Sequence, residues 1–84
     1  MSKAYLYVLQ SQKTLRKYVG VTYNIDQRLE RHNSGRVAIT KKDLPYQVVY
    51  SEAFDDLSLA RRRENFLKSG DGRRVLQMKL SAFW

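Results

Sequence analysis

Two short runs of alternating residues, separated by one polar stretch, constrain this chain more than anything else in it. Tyr5 to Gln10 places Tyr5, Tyr7 and Leu9 on one face of an extended strand, with Leu6 and Val8 on the other. Lys17 to Thr22 repeats the pattern, setting Tyr18, Gly20 and Thr22 opposite Val19 and Val21. The intervening segment, Ser11 to Arg16, is polar and short enough for a hairpin loop. An antiparallel hairpin brings Tyr7 and Tyr18 close together on neighbouring strands. Gly20 then leaves a bare patch on the sheet where another backbone or a ligand can approach.

The rest of the chain must cover this hairpin. Asn24 reads as a helix N-cap, with Gln27 placed to complete a capping box. Ile25, Leu29 and His32 follow at helical spacing, and Gly35 takes the position just past the helix end. Arg28 and His32 lie one turn apart, so they are neighbours on that helix. A basic, irregular connection from Arg36 to Asp43 carries Lys41 and Lys42, and Pro45 marks its end. Tyr46 to Tyr50 reads as a third strand. A second helix is expected from about Leu57 to Ser69, capped by Asp56 or Ser58 and stopped by Gly70. Its apolar stripe is Leu59, Ala60, Phe66 and Leu67, with Glu64 on or beside it. Asp71 or Gly72 opens a short last helix holding Val75, Leu76 and Leu80, and Phe83 and Trp84 close the chain. The order is β-β-α-β-α-α. It predicts an α+β fold, a small three-stranded antiparallel sheet flanked by helices.

A chain of 84 residues makes one domain, 1–84, and a hydrophobic fraction of 43% supports a packed core rather than a disordered tail. With no cysteine, disulfides and thiolate metal sites are excluded, which fits a reducing cytoplasm. Met1-Ser2-Lys3-Ala4 runs straight into the first strand and no long apolar run follows, so neither a signal peptide nor a membrane span is expected. Sixteen Lys and Arg stand against eight Asp and Glu, a net charge of +8. Such a balance favours a polyanionic partner, nucleic acid first and an anionic membrane second.

Several of these segments resemble a known family. Tyr5-Leu6-Tyr7 and Tyr18-Val19-Gly20-Val21-Thr22 are similar to the two halves of the GIY-YIG nuclease signature. Tyr5 stands where the signature has its first Gly, and Leu6 and Val19 replace its Ile. The run Arg28-Leu29-Glu30-Arg31-His32-Asn33-Ser34-Gly35 looks like the family's helix motif. Pro45 to Glu52, and Arg63-Glu64 with Phe66-Leu67-Lys68-Ser69-Gly70, extend the likeness to almost the whole chain. The resemblance is to the small bacterial members, which are similar to the nuclease half of excision-repair proteins and of structure-specific resolving nucleases.

The resemblance implies a metal-dependent endonuclease acting on DNA. It points to Tyr18 as the general base or water-orienting group, assisted by a metal, by Arg28 or by His32, with Tyr7 holding water or phosphate on the same face. Arg28 suits the scissile phosphate because a guanidinium donates a permanently charged pair of hydrogen bonds. His32 continues the Ile25 and Leu29 stripe, which also fits a buried, hydrogen-bonded histidine. A carboxylate on an apolar stripe is costly unless paired or bound. For Glu64 the family implies one divalent ion, Mg²⁺ or Mn²⁺, whereas an internal salt bridge to Arg28 or Arg63 is the rival. Arg36, Lys41, Lys42, Arg61, Arg62, Lys68, Arg73 and Arg74 are candidates for holding phosphates without reading sequence. Nothing here reads a 2′-hydroxyl, so DNA and RNA are not separated. A homodimer or a place in a larger repair complex suits a catalytic domain this small. The alternative is a nucleic-acid-binding module that keeps the fold without turnover.

Overall fold

The computed structural model describes residues 3–38 and 40–81, so Phe83 and Trp84 lie outside the described residues. The elements are β1 (Ala4–Ser11), β2 (Lys17–Thr22), α1 (Ile25–Asn33), a 3-10 turn (Lys41–Asp43), β3 (Tyr46–Phe54), α2 (Leu57–Lys68) and α3 (Gly70–Ser81). The three strands are antiparallel in the order β2-β1-β3, so the α+β arrangement expected from the sequence is the one observed.

Because β1 lies in the middle, both of its faces are covered. Leu6 and Val8 meet Leu67 of α2 and Leu76 and Leu80 of α3 on one side. On the other side Tyr7 and Leu9 join Tyr46, with Tyr18, Ile25, Leu29 and Val48 packed around them. The alternation in β1 therefore sorts two apolar faces rather than an inner and an outer one. Helix α1 lies over the tyrosine face, and α2 with α3 over the aliphatic face.

Local chemistry sets the helix ends. The Asn24 side chain accepts the Gln27 amide at 3.0 Å, and Gly35 leaves α1 at φ 79°, a left-handed conformation that glycine adopts freely. Of the two candidate caps for α2, Asp56 takes the position, accepting the Leu59 amide at 2.9 Å.

Three expectations need correction. Strand β3 continues beyond Tyr50 to Phe54, because polar Ser51 and Glu52 still pair with Tyr7 and Leu6 across the ladder. Leu59 and Phe66 are 41% and 40% exposed, so the buried stripe of α2 narrows to Ala60 and Leu67. The last helix is not short: it begins at Gly70 and spans 12 residues, equal to α2. Ser69 makes that start possible by turning the chain and capping it, its hydroxyl accepting the Gly72 amide at 3.2 Å. Gly72 abuts the Phe66 carbonyl so closely that no side chain fits there.

Candidate active site

The register of the hairpin puts Tyr7 opposite Gly20 and Tyr18 opposite Leu9, so the two tyrosines meet diagonally, with ring centroids 6.3 Å apart. The bare patch at Gly20 is occupied from within. A Cβ built on Gly20 would lie 2.6 Å from the Tyr7 hydroxyl oxygen, so the glycine is the floor over which the Tyr7 ring lies. That ring reaches α1, where the Tyr7 hydroxyl and His32 Nε2 are 3.1 Å apart. His32 Nδ1 in turn lies 2.9 Å from Thr40 Oγ1, and Thr40 donates to the Val37 carbonyl at 3.3 Å. With the threonine proton so used, the hydrogen-bond network assigns the imidazole proton to Nδ1, leaving Nε2 to accept from Tyr7. All members of this line are buried, Tyr7, His32 and Thr40 at 1% exposure each. It is a fixed polar wire inside the tyrosine face.

Electrostatics keeps the wire neutral. Burial first, then the charges of Arg28 and Arg31, lowers the His32 pKa from its ordinary 6.5. Burial also dominates at Tyr7, pushing its hydroxyl to about 12; Tyr18 adds to the rise, the neighbouring Arg28 opposes it, and Glu64 adds a smaller push. The same influences place Tyr18, Arg28 and Glu64 within electrostatic reach of Tyr7. Tyr18 is only half-buried and lies against the His32 ring at 4.9 Å, so it carries the aromatic face outward. His32 is thus hydrogen-bonded to Tyr7, while its contact with Tyr18 is between rings.

Glu64 takes neither of the salt bridges considered for it. Its carboxylate, 19% exposed, accepts from Lys68 one helical turn on, at 3.0 Å. Arg63 is engaged elsewhere by Glu52, through Nε at 2.9 Å and Nη2 at 3.2 Å, and Tyr50 donates to the same carboxylate at 2.5 Å. Among the described residues no group of three or more acids, histidines or cysteines could hold a metal ion. One carboxylate does not make a closed zinc-type site. It does fit an ion such as Mg²⁺, which keeps several waters and completes its shell with substrate phosphates.

The basic residues divide by place. Arg36 lines an open cleft along α1 together with Thr22, Gln27, Arg28 and Arg31. Lys68 and Arg73 line a second cleft with Lys17 and Tyr18, beside the outer edge of β2. Arg74 sits with Arg73 and Met78 on the open side of α3. Lys41, Lys42, Arg61 and Arg62 are exposed and line neither of the two clefts. Sequence reasoning missed Thr40, Arg31 and Lys17. Thr40 carries no spacing signal toward His32, since an irregular connection joins them. Arg31 and Lys17 were readable only as two cations among many.

Comparison with known proteins follows the same outline. Residues 3–77 match the family model of the GIY-YIG catalytic domain. The UPF0213 protein of Syntrophus aciditrophicus is 42% identical over 81 residues, covering 93% of this chain and 91% of its own. That of Staphylococcus haemolyticus is 37% identical, with 93% and 95% covered. The solution NMR structure of the UPF0213 protein from Bacillus halodurans aligns with a TM-score of 0.54 at 28% identity, over 90% of this chain and 83% of that one. A match that opens just before β1 and ends inside α3 takes in every element of the fold, and on that ground the chain belongs to the GIY-YIG family.

Proposed function

We propose that this protein is a metal-dependent endonuclease that hydrolyses phosphodiester bonds in DNA, directed by the shape of its substrate rather than by sequence. One observation carries the reading. A buried, neutral Tyr7–His32–Thr40 line stands directly behind half-exposed Tyr18, and Arg28, whose charge reaches Tyr7, lines a cleft rich in arginine. Family membership supports the same chemistry.

The roles follow from exposure. Tyr18, at the surface, orients the attacking water. Arg28 donates to the non-bridging oxygens of the scissile phosphate and offsets the charge that gathers there. The water oxygen bonds to phosphorus and gives its proton to solvent, the bond from phosphorus to the bridging oxygen breaks, and the departing oxygen takes a proton from solvent. Tyr7 and His32 are positioning residues: their buried bond fixes the wall against which Tyr18 and Arg28 work. Glu64 would hold one divalent cation, Mg²⁺ or Mn²⁺, which supplies charge neutralisation when bound. The flanking cations grip the backbone without reading bases, which suits work of the repair or recombination type.

Labelled duplex, flap, branched and single-stranded DNA, with RNA alongside, should be incubated with Mg²⁺, with Mn²⁺ and with EDTA. Metal-dependent cutting that is lost in Tyr18→Phe, Arg28→Ala and Glu64→Ala, with binding retained, is the expected result. Wild-type cutting by Glu64→Ala would overturn the single-cation arrangement. Intact binding with no product on any substrate would overturn the enzyme and leave a binding module.

A further inference from the structure

The cleft beside the outer edge of β2 has a composition that the hydrolysis itself does not require. Its floor is apolar, formed by Val19 of β2 and Leu76 of α3 with core leucines behind them. Its rim is cationic, with Lys17 on the strand, Lys68 at the end of α2 and Arg73 in the first turns of α3. None of the residues lining it is acidic, and its volume is about 530 Å³, within the range of ordinary small-molecule sites. Lys68 on its rim is 3.0 Å from Glu64, so a group seated there lies beside the carboxylate read as the cation's ligand.

An apolar floor under a ring of cations is the complement of a flat, weakly polar ring joined to phosphates. A backbone tracked only by its charge would need the cations and no floor. An apolar peptide would need the floor and no cations. We propose that this cleft receives one unstacked nucleobase of the substrate, adjacent to the phosphate that is cut. The base lies on Val19 and Leu76, while Lys17, Lys68 and Arg73 hold its flanking phosphates. A continuous duplex cannot supply such a base without breaking a pair, so strands with an unpaired nucleotide at the cut are preferred. Lys68 has a prior partner in Glu64, and its side chain, 52% exposed, is free to swing to a phosphate while leaving that carboxylate to other cations. The inference rests on the nuclease reading for its meaning, yet the site is tested by binding alone.

The test uses the intact protein in EDTA, where nothing is cut. Fluorescence anisotropy would compare two DNA duplexes carrying a single-nucleotide bulge, one with 2-aminopurine at the bulge and one abasic there. Apolar contact with the floor predicts that the base-containing bulge binds about fivefold tighter or more. Val19→Trp, which fills the floor, should bring the ratio to one, whereas Arg73→Ala should weaken both duplexes alike. Equal affinity of wild type for the two bulges would overturn the proposal, and that comparison needs no variant to fold. Cutting measured separately in Mg²⁺ distinguishes the two ideas. Activity without base discrimination removes the cleft's role alone, and base discrimination without activity removes the enzyme alone.

Discussion

Gly20 and His32 show how single positions govern this site. A methyl group at residue 20 would meet the Tyr7 hydroxyl and ring at 2.6 to 3.0 Å, so Gly20→Ala must lift that ring off the strand. Overpacking of this kind costs about 1–3 kcal/mol. It should also move Tyr7 away from His32, so we expect a lower melting temperature and a cleavage rate reduced by about tenfold or more. His32 supplies a pH dependence of known sign. Its folded pKa lies below 6.5, chiefly through burial and then through Arg28 and Arg31. As pH falls below 6.5 the unfolded chain takes up a proton that the folded chain resists, so stability is full above that value and declines beneath it. The decline ends once the folded imidazole itself is protonated. Urea midpoints followed between about pH 7 and pH 5 should therefore fall in wild type and fall less steeply in His32→Gln.

At the scale of elements, the helices are held by contacts that differ in how visible they are to sequence reasoning. Asn24, Asp56 and Gly35 act through rules of one or two turns, and for that reason α1 and the start of α2 were legible. The tail of β3 was not, because Ser51 and Glu52 look like turn residues until the neighbouring β1 supplies their ladder partners. The same limit applies to the site. Arg28, His32 and Glu64 stood out by residue type and spacing, but Lys68 as the partner of Glu64, and Thr40 as that of His32, depend on where the chain folds back. Leu59 and Phe66 misled because helical spacing names a face without saying how wide the covered part of it is. The junction of α2 and α3 offers a direct check. Gly72 fits against the Phe66 carbonyl only because it has no side chain. Gly72→Ala should force the two helices apart and destabilise the fold by about 2 kcal/mol or more, read as a shift in the urea midpoint.

The molecule as a whole carries a net charge of +8, and two of its clefts are lined by cations, Arg28, Arg31 and Arg36 in one and Lys17, Lys68 and Arg73 in the other. Binding to duplex DNA should accordingly weaken by about two orders of magnitude between roughly 50 and 200 mM salt. Arg31→Ala and Lys17→Ala should each make the logarithmic salt slope shallower by about one, measured by anisotropy at several ionic strengths. No helix among the described residues is long and apolar enough to cross a membrane. One feature of the architecture then governs how the protein fails when heated. β1 is paired along both edges and covered on both faces, so it has no route to open short of the whole molecule opening. Tyr7 is therefore the last part of the site to loosen, and Thr40, at the N-cap of a three-residue 3-10 turn outside the sheet, is the first. Amide hydrogens of Leu6 to Leu9 should outlast all others in deuterium exchange, while Lys41 and its neighbours exchange early. A sample warmed to just below its melting point would keep its tyrosine in place and lose the imidazole's orientation, a site disarmed before the fold is lost.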